Sequence, residues 1–299
     1  MADSHLQCDA QIRRYLATGE TDSNFLGWQG KNYIEVVSNG SAALRGALIE
    51  RVRSIAPRRI RLPEGFDPDV AGLTRRKVAP MVTGLFSEAE RPPVMAMLER
   101  SVVFLTLDNI EPVLRTTRWP HTAWRLANLY LLSVGGEPLS PDALPLVGLS
   151  EETTCYVSLD YFSPQDRFAD FLVHEAAHVF HNCRREAVGL SPMRRREWLL
   201  DIDYGKRETF AYACEAYSRI LASTSTVAQR RAALAEHAQG PLPTDPTVDH
   251  DEYLELLGAA VRARNGWKQI LLRCAAPVTA RASSAGLAAA PDLRQSEAP

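Results

Sequence analysis

The chain has no CxxC pair. Its five cysteines, Cys8, Cys155, Cys183, Cys214 and Cys274, are scattered through 299 residues. Neither a disulfide framework nor a cysteine-based zinc ribbon is indicated. No apolar run approaches the roughly 18 residues of a membrane-spanning helix. The opening stretch MADSHLQCDAQIRRYL lacks the apolar segment of a secretory signal. A cytoplasmic location without a membrane partner is therefore expected. The chain also lacks an excess of charge of one sign: 34 Lys and Arg stand against 36 Asp and Glu, a formal net charge of −2. This gives no electrostatic basis for binding nucleic acid. The short basic clusters at 75–77 and 194–197 are read as solvated surface. No internal repeat is present.

The patterning divides the chain. Residues 1–100 read as a mostly helical region that carries no chemical signature. Within it, GWQGKNYIEVV (27–37) reads as a strand. Ser41 opens a helix whose apolar face is Leu44, Leu48, Val52 and Ile55. Residues 69–100 read as further helix, with Ser87 and Glu90 placed as a capping box. From residue 101 the texture changes. SVVFLTL reads as a buried strand, Pro120 opens a helix closed by Gly135-Gly136, and CYVSLDYF (155–162) reads as a second strand. Ser163 and Pro164 occupy the N-cap and first helical positions of a helix running on through HEAAH. Helices are also expected over 204–222 and 250–274. Strand, helix, strand, helix over 101–275 predicts an α+β domain, a small sheet packed on helices. Residues 276–299, rich in Ala, Ser and Pro, read as a disordered tail.

The chemistry concentrates in FLVHEAAHVF (171–180). On a helix, residues four apart share a face, so His174 and His178 can offer imidazole nitrogens to one ion. Glu175, one position on, cannot join them as a ligand in the same way. It can hold a carboxylate beside the open position as a general base. The flanking residues are apolar, so the segment is built to be buried, and burying two histidines and a glutamate is costly without a metal or partners. A catalytic zinc takes three protein ligands. His181 is too far along a straight helix from His174 to complete the set, and the glycine-bent HExxHxxGxxH pattern fails at His181 and Arg184. The helix over 204–222 carries Glu208 and Glu215 on one face, about 10 Å apart along the axis, so only one of the two can ligate.

HExxH followed by a helix reading E-x-F-A-x-A resembles the gluzincin zinc metallopeptidases. YGKRETFAYACEAY (204–217) is particularly similar to the corresponding helix of the anthrax lethal factor group. The resemblance covers about 155–222. It implies a zincin-like α+β fold with a small mixed sheet, an active-site helix and a ligand helix. It also implies Zn²⁺ held by His174, His178 and Glu208, and hydrolysis of a peptide or protein substrate with Glu175 as base. In that group a tyrosine shortly before the ligand glutamate helps polarise the scissile carbonyl. Tyr204 takes this role here, at a closer spacing, with Tyr212 as the alternative. Many gluzincins carry an aspartate four residues after the glutamate to orient a histidine; Tyr212 stands there instead. The strand YVSLDYF falls where such folds place the edge strand that pairs with substrate.

The expected function is that of a zinc metalloendopeptidase; the alternative is a metal-containing binding or regulatory module that does not cleave. The intact Glu175 argues against a pure binder. EAAH also satisfies the ExxH half of a di-iron carboxylate site, but such a site needs a second ExxH. Glu208 is followed at +3 by Ala211 and Glu215 by Ser218, so that half is missing.

Overall fold

The computed structural model describes residues 2–57, 61–143, 147–163, 166–191 and 196–276. The chain is mixed α+β and mostly helical. Four helices come first: α1 (Ala2–Thr18), α2 (Tyr33–Ile55), α3 (Val70–Leu85) and α4 (Arg91–Ser101). A strand, β1 (Val102–Phe104), leads into α5 (Ile110–Thr116) and α6 (Pro120–Ser133). The hairpin β2 (Gly148–Glu151) and β3 (Thr154–Val157) precedes α7 (Phe171–Asn182). The remaining helices are α8 (Arg207–Ser223), α9 (Val227–His237), α10 (His250–Arg262) and α11 (Gly266–Cys274). Among the described residues no helix is long and apolar enough to cross a membrane.

The three strands form one sheet in the order β1-β3-β2, with β1 parallel and β2 antiparallel to β3. The sheet is a shared wall. Leu149 and Tyr156 face a cluster built from α1, α2, α5 and α6, including Tyr15, Leu48, Leu126 and Tyr130. Cys155 and Val157, on the opposite pleat, face a larger cluster containing α3, α4, α7, α8, α10 and α11. The two cores therefore do not divide at residue 100: α3 and α4 share a core with the C-terminal helices.

Several sequence expectations are corrected. Residues 33–37 are helix, not strand, because Asn32 Oδ1 accepts the Glu35 N–H at 2.9 Å and Glu35 Oε2 accepts the Lys31 N–H at 2.8 Å, starting α2 well before Ser41. The expected face of that helix is correct in direction, with Leu44, Leu48 and Val52 buried. Of the second expected strand only residues 155–157 are extended, within β3. Leu159–Phe162 turns into a 3₁₀ segment, where the Ser158 hydroxyl accepts the Asp160 N–H. That strand lies in the centre of the sheet, so it is not the expected edge; the edges are β1 and β2. The helix bearing HEAAH starts at Phe171, and Pro164 lies outside the described residues, as do residues 277–299 of the tail expected over 276–299. Asp166 accepts the Phe168 N–H in a turn, which delays the helix.

Candidate metal centre

Helix α7 is apolar on nearly every side, and each residue from Leu172 to His181 is buried. The sheet covers one side through Cys155 and Val157, and α8 covers another. Only polar groups answered by polar partners are tolerated in such a place. His174 and His178, one turn apart, bring their Nε2 atoms to 3.1 Å of each other. Glu208, in the first turn of α8, places Oε2 at 3.7 Å from His174 Nε2 and 3.5 Å from His178 Nε2. Among the described residues these three form a group able to hold one ion.

The triangle fits a zinc ion in its dimensions. Ligand atoms at about 2.0–2.1 Å in a tetrahedron stand roughly 3.4 Å apart, and the three observed edges are 3.1, 3.5 and 3.7 Å. Two imidazoles and a carboxylate are also a donor set zinc accepts. The groups are also electrostatically coupled. Burial pushes the His174 imidazolium down, but hydrogen bonds to Glu208 and Glu215 outweigh it and carry the pKa up to about 10. Burial works against the Glu208 carboxylate, yet the two imidazoles hold it below the usual carboxylate range. Without an ion the carboxylates and imidazoles thus stabilise one another's charged forms.

Each histidine is oriented from behind. His174 Nδ1 meets Glu215 Oε2 at 3.1 Å, and His178 Nδ1 meets His181 Nε2 at 3.4 Å. Both Nε2 atoms are thereby turned to the common point. Glu215, the second glutamate of the α8 face, reaches the back of His174 rather than the centre. It does the orienting work that no aspartate at position 212 performs. His181 is kept neutral by burial and by the positive charge of His178 and Arg207, which lower its pKa to about 3. Tyr212 stacks edge-on against His174 at 4.5 Å between ring centroids. Tyr204 is 83% exposed on the turn before α8, with the Arg207 guanidinium over its ring; the structure does not bring it against the histidines.

Glu175 is buried beneath β2, one of the two edge strands. A Cβ at Gly148 would stand 2.7 Å from Glu175 Cγ and 2.8 Å from Oε1, so only glycine leaves room for this carboxylate. Burial raises the Glu175 pKa above its ordinary value, against the pull of His174 and His178. A further residue, Arg125 on α6, carries no sequence signal. Burial lowers its pKa, and the carboxylates opposing that are Glu175 and then Glu208. Arg125 also lines a cavity of about 440 Å³ together with His121, Trp124, Asn128 and Ser140. No protein-family model, no curated protein and no solved structure matches this chain.

Proposed function

We propose that this protein is a zinc-dependent peptidase of zincin-like arrangement, with His174, His178 and Glu208 as ligands and Glu175 as general base. The observation that carries the reading is the triangle of donor atoms, whose edges match those of a tetrahedral zinc site, with the buried Glu175 carboxylate on the same helix as the two histidines. Bound zinc supplies Lewis acidity, lowering the pKa of a water to about 7 and polarising a carbonyl. Glu175 takes the proton from the attacking water and delivers it to the leaving amine. Its burial raises its proton affinity, which suits both halves of that transfer. Arg125 places positive charge toward Glu175 and Glu208, where an oxyanion develops during attack. Strand β2, open on one side in the sheet order, offers main-chain hydrogen bonds to an extended peptide directly above Glu175. A peptide or protein in the cytoplasm is the proposed substrate.

Glu175→Gln tests this reading. The amide fits the same space under Gly148 but cannot accept the proton. Substrates would first be found by sequencing the new termini produced when the pure protein is added to a lysate. The variant is expected to keep zinc and fold while cleavage falls by about 10²–10⁴-fold. Cleavage at the wild-type rate would remove Glu175 as base. Peptide binding without cleavage by either protein would replace the peptidase with a metal-containing binding module.

A further inference from the structure

The carboxylate that orients His174 is itself held from outside the metal centre. Glu215 is buried and uses both oxygens: Oε2 meets His174 Nδ1 at 3.1 Å, and Oε1 accepts the Asp170 peptide N–H at 2.7 Å. Asp170 is the N-cap of α7, a position where aspartate normally accepts N–H groups from its own first turn. It makes no such cap here. Its carboxylate points instead to two other elements. Lys77 Nζ of α3 donates to Oδ2 at 2.7 Å, and the Tyr161 hydroxyl donates to Oδ1 at 3.2 Å. The Asp170 side chain is 2% exposed.

These bonds have a geometric consequence. Asp170 sits at φ −149° and ψ 81°, which directs its N–H to Glu215. Were its carboxylate free to cap α7, the residue would turn and its N–H would leave Glu215 Oε1. A buried carboxylate that loses one of two partners rotates to recover it, and the bond to His174 turns with it. Lys77 and Tyr161 oppose that turn by occupying both Asp170 oxygens. The path from Lys77 to His174 runs through three helices, α3, α7 and α8, and uses only direct contacts.

We propose that Asp170 is a positioning residue for the metal centre: clamped by Lys77 and Tyr161, it fixes Glu215 and through it the orientation of His174. The inference rests on the reading of His174 as a metal ligand.

The test is a double-mutant cycle read in zinc affinity, by competition with a chromophoric chelator, on the full chain. Asp170→Asn is expected to weaken zinc binding about tenfold, the lower end of the range for groups behind metal ligands. Tyr161→Phe, which removes one of the two donors and leaves the ion pair, is expected to weaken it about threefold; it carries the test if Asp170→Asn does not fold. In a Glu215→Ala background both effects should vanish, because the path to His174 is already cut. With cobalt(II) in place of zinc, Asp170→Asn should shift the visible bands in the same direction as Glu215→Ala. Wild-type affinity in both single variants would overturn the inference. So would losses of unchanged size in the Glu215→Ala background, which would show damage to the fold rather than action through Glu215. A wild-type protein that binds no zinc would sink the peptidase reading first and this inference with it. A zinc-binding wild type with unaffected variants would sink this one alone.

Discussion

Glu208 and Glu215 lie on one face of α8, and in the proposed zinc site they take different duties that two measurements can separate. Glu208 contributes the third donor atom, within 3.5 and 3.7 Å of the two Nε2 atoms. Zinc sites of four ligands bind with roughly 10–16 kcal/mol, so one ligand is worth about 3–4 kcal/mol, or about 10²–10³-fold in affinity. Glu208→Ala should weaken zinc by that amount. Its side chain is 35% exposed, and its partners among the described residues are the two histidines. The zinc-free protein should therefore melt close to wild type. Glu215→Ala keeps all three donors and removes only the partner behind His174, a loss of about 10–100-fold. It also strands the buried Asp170 N–H, which costs about 1–3 kcal/mol of folding stability. The two variants should thus cross: Glu208→Ala is worse in chelator competition, and Glu215→Ala is worse in thermal unfolding of the zinc-free form. Equal zinc losses, or a larger one from Glu215→Ala, would refute the assignment of ligand and orienting residue.

Three more outcomes follow from the geometry. Gly148→Ala should leave zinc content unchanged but lower cleavage at least tenfold, because the new methyl group occupies the space of the Glu175 carboxylate; unchanged turnover would show that Glu175 is free to move. Arg125→Ala should retain zinc and reduce kcat/KM by about 10²-fold if its charge faces the developing oxyanion; a change confined to KM would assign it to substrate binding instead. Glu90 bears on stability and pH. Burial disfavours its charge, but hydrogen bonds from Ser87 and from Arg185 at 2.7 Å bring its pKa down to about 2. A depressed pKa stabilises the fold above the unfolded value and loses that contribution as pH falls. Glu90→Gln should therefore cost up to about 3 kcal/mol at pH 7, roughly half of that at pH 3 and almost nothing near pH 2. Urea unfolding at these pH values checks it, and a pH-independent cost would contradict it.

What could be read from sequence was what local spacing encodes. His174 and His178 share a face by helical period alone, and Ala176, Ala177, Val173 and Val179 announce burial without a partner being known. Pro120 and Gly135 bracket α6 closely. The failures have a common physical origin. The stretch 33–37 is rich in β-branched residues, yet capping by Asn32 and the reciprocal bond from Glu35 outweigh that propensity. Beside the Asp166 turn, the Asp170 carboxylate at the start of α7 accepts bonds from Lys77 and Tyr161, 93 and 9 residues away, which no local signal announces. Gly148 and Arg125 arrive at the metal centre from β2 and α6 and belong to no motif. That only one of Glu208 and Glu215 can reach the histidines' common point was legible from their spacing; that Glu215 meets His174 Nδ1 depends on how α7 and α8 pack.

The interleaving of the two cores has a consequence for biosynthesis. Helix α3 packs on α11 so closely that a Cβ at Gly84 would stand 2.2 Å from Trp267, and Asn265 donates to Gly84 O across 181 residues. At about 5–20 residues per second, the ribosome delivers Trp267 roughly 10–40 s after Gly84. The nascent chain exposes both histidines well before Glu208, and it cannot close the core around α7 until α10 and α11 have emerged. The histidines and glutamates of α7 and α8 therefore precede the helices that complete the core around them.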